Sequence, residues 1–263
     1  MLRAFDRRDA WLPVIGGLIA LAWLTLAVWA QSPYGRYLDH GEWLELGFAG
    51  DICRALPAGS VLLPALLYVT GWLLMTVAMM LPTTLPLLAI FARMTTGKPN
   101  RALLFVLVIL GYLSIWSAFG LLAHATDVGL HAIAANSALM SMNGWIVGVL
   151  VLAIAGIFQF SRLKYRCLDQ CRTPFSFINE HWRGHAERWR SLLLGAHHGL
   201  FCAGCCWAIM LLMFLVGTGS VGWMLAIGAV MAIEKNVAWG RRLSAPLGFG
   251  LLGASAAILA LNI

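Results

Sequence analysis

Residues 202–213 read CAGCCWAIMLLM, three cysteines and two methionines inside a run otherwise as apolar as lipid. Free cysteine packs as a small hydrophobe, whereas thiolate and thioether are the soft metal ligands. The apolarity of the stretch decides the fold class before its sulfur decides anything. Extended outward, it becomes one of seven apolar runs, at 11–30, 61–92, 102–123, 143–162, 196–216, 222–240 and 245–263. A helix crosses a bilayer with ~20 such residues. The chain of 263 residues is 61% hydrophobic and only 11% charged, where a soluble domain carries roughly a quarter charged residues. The shorter alternating segments of a membrane β-barrel do not occur. The sequence predicts an all-α, polytopic transmembrane helix bundle of seven spans, forming a single integral membrane domain over residues 1–263.

The run from Trp11 to Ala30 exceeds the ~7–15 residues of a signal-peptide core, so it reads as a retained first span. The second run carries Pro64, Pro82 and Pro86. Proline removes a donor and clashes with the preceding turn, which predicts a kink at MMLPTTLP. Thr83 and Thr84 are placed to meet the carbonyls freed there. With the N-terminus inside, cytoplasmic segments hold sixteen Lys and Arg, and external segments hold only Arg36 and Arg54. Positive charge marks the cytoplasmic side, so the N-terminus faces the cytoplasm and the chain belongs in a cytoplasmic (inner) membrane. The net charge of +7 is accordingly topogenic. No basic, aromatic-interleaved module accompanies it, which excludes nucleic acid as a partner.

Two loops have substance. The outer loop, 31–60, carries Asp39, His40, Glu42, Glu45, Asp51 and Cys53. The basic cytoplasmic loop, 163–195, contains CLDQC, and its segment from Trp182 to Leu194 suits an interfacial helix.

On a helix, His198, Cys202, Cys205 and Cys206 share one broad face, with Met210 and Met213 continuing beside Cys206. One helix offers two ligands to a metal and needs others from elsewhere. Cys167 and Cys171, at i and i+4, are the nearest further thiols, on the same reducing side of the membrane. Glu234 lies at membrane depth, where an ionisable group pairs, binds a metal or relays a proton; its neighbour Lys235 is long enough to snorkel to the interface. Met75 and Met79, with Met80 beside them, form a thioether stripe on the second run, more often packing than ligand. His124, Asp127 and His131 share an outer helical face, where polar residues at a span's end are the plainer reading. Nucleotide-binding loops and hydrolase elbows are missing.

The stretches WLLMTVAMMLP (72–82), GYLSIWSAFG (111–120), LKYRCLDQCRTPFSF (163–177), HHGLFCAGCCWAIMLLMF (197–214) and GWMLAIGAVMAIEK (222–235) resemble a bacterial family of predicted metal-binding integral membrane proteins, a domain family of unknown function. The resemblance runs from the second to the sixth span and rests most specifically on CAGCCW. It implies a metal site built from Cys167, Cys171, Cys202, Cys205 and Cys206, with Met79 and Glu234 as motif positions.

The function expected is a membrane metal-binding protein handling a soft ion, Cu(I) first and zinc as its rival. The candidate ligands are those five cysteines with His198, Glu234, Met75 and Met79. Its partners are the lipid bilayer, the metal ion and other membrane subunits. Two other readings stay open: a membrane metalloenzyme or redox subunit, and a non-catalytic scaffold of a larger membrane complex.

Overall fold

The computed structural model describes residues 11–31, 62–136, 145–183, 186–216 and 220–262. Among these the regular structure is helical, with no strand. The elements are α1 (Trp11–Gln31), α2 (Leu62–Met79), a 3₁₀ turn (Pro82–Thr84), α3 (Leu85–Met94), α4 (Arg101–Asn136), α5 (Trp145–Phe158), α6 (Arg162–Arg172) and α7 (Pro174–His181). They continue with α8 (Glu187–Met210), the short α9 (Met213–Val216), α10 (Val221–Asn236), a second 3₁₀ turn (Gly240–Leu243) and α11 (Ser244–Asn262). Four helical stretches are long and apolar enough to cross a membrane, and up to six if each of two bent pairs is one span. That is fewer than the seven apolar runs. The run at 222–240 yields a helix of 16 residues, about 24 Å at 1.5 Å per residue and short of the ~30 Å hydrocarbon core.

The proline-rich run breaks where its chemistry requires. The axis bends by 47° between the α2 and α3 portions. Pro82 has no N–H to give, and Thr83 and Thr84 turn their hydroxyls back to the carbonyls of Met80 and Leu81, at 2.7 and 2.8 Å. The same two carbonyls accept the Thr83 and Thr84 backbone N–H groups at 3.1 Å, and the break leaves Met80, 0% exposed, at the end of a helix rather than on its side. A second bend, of 62°, separates α5 from α6. Ser161 caps α6 by accepting from the Lys164 backbone N–H at 3.1 Å, which suits Ser at an N-cap.

Helices α4 and α8 form the central contact, and glycine makes it possible. A Cβ on Gly111 would lie 2.0 Å from the Leu192 carbonyl oxygen, and one on Gly195 would lie 1.9 Å from that of Val108. The two backbones touch, the arrangement small residues permit between membrane helices. Because Gly199 continues the seam against the Tyr112 carbonyl, the next turn of α8 carries Cys202 to the Tyr112 side chain. Helix α6 closes on the far side of α8, where Gly204 leaves room for the Cys167 sulfur.

Large apolar side chains such as Leu21, Leu24, Leu122, Ile157 and Phe249 are exposed, while Lys164, Glu234 and Lys235 are buried. A soluble domain arranges these residue types the other way round. The segment expected as one interfacial helix from Trp182 to Leu194 is divided: Trp182 follows α7, whereas residues from Glu187 onward begin α8. Trp182 Nε1 donates to Ser191 Oγ at 3.0 Å, and Lys98 pairs with Glu187. The outer-loop residues Asp39, His40, Glu42, Glu45, Asp51 and Cys53 lie outside the described residues.

Candidate metal site

The described cysteines are all free thiols, and Cys202, Cys205 and Cys206 are buried on α8. Helical spacing puts Cys206 one turn beyond Cys202, and the Cys206 sulfur lies 2.8 Å from the Cys202 carbonyl oxygen. The Cys205 sulfur lies 3.1 Å from the same oxygen. The helix break in the second run then delivers a donor that the α8 spacing does not contain: Met80 Sδ stands 3.7 Å from Cys206 Sγ. Met75 and Met79 are buried in the core nearby, and Met79 packs against Gly228 of α10. Met80, at the break itself, is the methionine that meets the thiols.

Helix α6 brings a second thiol group to α8. Cys171 reaches the Cys205 thiol, and Cys167 Sγ lies over Gly204. The two local cysteine pairs, separated by some thirty residues of sequence, are thus neighbours across one helix interface. His198 stands one turn before Cys202 with its ring 5.9 Å from that of Tyr112 and edge-on to Phe177 at 5.5 Å. It is buried and its Nδ1 has no hydrogen-bond partner.

Lys235 behaves differently from the snorkelling side chain expected of it. It is 5% exposed, and its ammonium points into the sulfur cluster. Nζ donates to Cys202 Sγ at 2.9 Å and to Thr83 Oγ1 at 3.4 Å, and it lies 3.8 Å from both Cys206 Sγ and Met80 Sδ. The Tyr112 hydroxyl approaches Cys202 Sγ at 3.1 Å from the other side. Helix α10 faces the core at this level, so the shortest route for the lysine stem runs inward.

Glu234, the preceding residue, turns away from that cluster. Its carboxylate accepts from Lys164 Nζ at 2.7 Å and from Ser244 Oγ at 2.6 Å, and Lys164 also donates to Gln159. Arg172 caps the end of α10 by donating to the Glu234 and Ala238 carbonyls. Glu234 therefore ties α6, α10 and the start of α11 together. Among the outer candidates, the His124 ring lies tilted against that of Tyr68 with centroids 4.6 Å apart; the side chains of Asp127 and His131 lie outside the described residues.

No three His, Cys, Asp or Glu side chains among the described residues form a ready-made cage for a metal. The three-donor set that does converge contains two thiols and a thioether, and thioether sulfur belongs to Cu(I) chemistry rather than to the N, O and thiolate sets that hold zinc. One comparison with known proteins bears on copper. No curated protein and no solved structure matches the chain. The model of one family, described as PpoB2, copper chaperone, matches residues 69–258. That stretch begins ahead of Met80, ends in α11 and includes every cysteine, the methionine and the lysine of the cluster. The chain belongs to the PpoB2 copper chaperone family.

Proposed function

We propose that this protein is a multi-pass protein of the bacterial cytoplasmic membrane that accepts Cu(I), holds it and passes it on. The ion is cargo, bound by Cys202, Cys206 and Met80, with Cys205, Cys171 and Cys167 as the neighbouring thiols through which it is exchanged. The observation that carries this reading is the meeting of three sulfur donors from two separate segments, α8 and the proline break, in one buried cluster, all within 3.8 Å of the Lys235 ammonium. Apolar side chains on the outside and ionic ones inside support a lipid surround. The distribution of Lys and Arg supports a cytoplasmic N-terminus and sets CLDQC at the cytoplasmic face, where thiols stay reduced. His198, Glu234, Met75 and Met79 lie around this pocket and serve it as packing and support.

The test is the metal content of anaerobically purified, detergent-solubilised protein, measured beside a Cys202→Ser/Cys206→Ser variant. Near-stoichiometric copper in the wild type, lost from a variant that elutes and melts like it, is the expected result. Absence of copper after reconstitution with Cu(I) overturns the reading, and zinc in its place redirects it to zinc handling.

A further inference from the structure

We propose that Lys235 sets the metal selectivity of this pocket by supplying the one positive charge that a bis-thiolate Cu(I) complex needs to be neutral. The inference rests on the copper reading above and deepens it from a donor set to a charge balance.

The ion pairs among the described residues join Lys98 to Glu187, Lys164 to Glu234 and Arg241 to Asp169. None includes Lys235. Its neighbours within 4 Å are sulfur and hydroxyl groups, Cys202, Cys206, Met80 and Thr83. A buried ammonium without an anion is costly, because the low-dielectric surroundings return little of its lost hydration. The adjacent carboxylate is already held by Lys164 and Ser244. The cluster therefore contains a fixed cation whose prospective counter-ions among the described residues are its own sulfur ligands.

Binding closes the balance. Two thiols and Cu(I) give a dithiolate complex of charge −1 and release two protons to solvent; the Met80 thioether adds a donor without charge. Beside Lys235 the sum is zero. Zinc in the same three-donor set gives a neutral complex and leaves the ammonium unpaired. The pocket then disfavours the divalent ion on charge as well as on ligand softness.

The experiment measures Cu(I) and Zn(II) affinities of the full chain in detergent, anaerobically, each against a chromophoric chelator. The wild type is compared with two variants that alter the charge by different routes. Lys235→Leu removes the ammonium. Thr83→Asp leaves it in place and gives it a resident carboxylate on the atom now 3.4 Å away. The expected result in both is Cu(I) binding weaker by on the order of a hundred-fold, with Zn(II) binding strengthened. Lys235→Arg, which keeps the charge, retains the wild-type preference. A merely damaged pocket weakens both ions together, so parallel losses in the two charge variants overturn the inference, as does an unchanged Cu(I) affinity. A wild type that takes no Cu(I) removes the copper reading and this inference with it; a wild type that binds Cu(I) beside variants that keep its preference removes this inference alone.

Discussion

Two buried lysines lie on either side of α10. Lys164 is 0% exposed and meets a carboxylate, a serine-supported one, with an amide beside it. Lys235 is 5% exposed and meets two thiols, a thioether and a hydroxyl. The first group is matched in charge, with two ammonium protons accepted by a carboxylate and an amide. Such a network fixes how α6, α10 and the start of α11 meet. The second is incomplete in charge and rich in soft donors, and that combination marks a place built for something that arrives. Burial and a perturbing environment are common to both; the chemical identity of the partner separates structure from function.

The contrast can be broken most forcefully at Glu234. Glu234→Ala strands Lys164 in the interior and should cost about 3–5 kcal/mol of stability, read as a lowered midpoint in chemical unfolding of the detergent-solubilised protein. The fraction that remains folded should still load Cu(I) with wild-type affinity, because the carboxylate faces away from the sulfur pocket. Weakened Cu(I) binding in that folded fraction would place the carboxylate in the site instead. Next in size is Met80→Leu. Volume is nearly conserved, so stability should change by less than about 1.5 kcal/mol. Cu(I) affinity should fall by about ten-fold, equivalent to ~1.4 kcal/mol, in the same chelator competition. The matching Met75→Leu and Met79→Leu changes should leave it within error. The smallest effect is expected of Tyr112→Phe, which removes the hydroxyl 3.1 Å from Cys202. Loss of that single hydrogen bond is worth about 1 kcal/mol, seen as a Cu(I) affinity several-fold lower with no shift in Zn(II) preference.

Local chemistry was the legible part of this sequence. Proline at 82 and 86 predicted the bend, which depends on residues within one turn; the threonines beside it turn their hydroxyls to the Met80 and Leu81 carbonyls, which already accept backbone N–H groups. The cysteine spacing on α8 was likewise local, and so was the choice of helix over strand. Properties that depend on the azimuth of one helix against another were not legible. Met80 and Met79 are adjacent in sequence, and only the direction in which the break leaves the chain decides that Met80 meets Cys206. Glu234 invited a partner, but Lys164 lies 70 positions away and no periodicity connects them. Lys235 was read through its length and its position near a span end, both compatible with snorkelling; its inward course follows from how α10 is turned. A buried lysine one residue from a buried glutamate was the available signal, since adjacent helical residues cannot share one partner.

That adjacency has a consequence in rotation. Successive residues on a helix are about 100° apart, so α10 works as a divided axle, presenting anion to one side and cation to the other from a single step of chain. Sliding it by one residue would carry the ammonium into the carboxylate's place beside Lys164, or in the other direction the carboxylate into the ammonium's place among the thiols, and either shift sets a charge against the wrong partner. The angular setting of α10 is therefore a quantity this protein has to hold fixed. The Lys164–Glu234 pair and the Arg172 contacts with the Glu234 and Ala238 carbonyls are the parts of the fold that hold it.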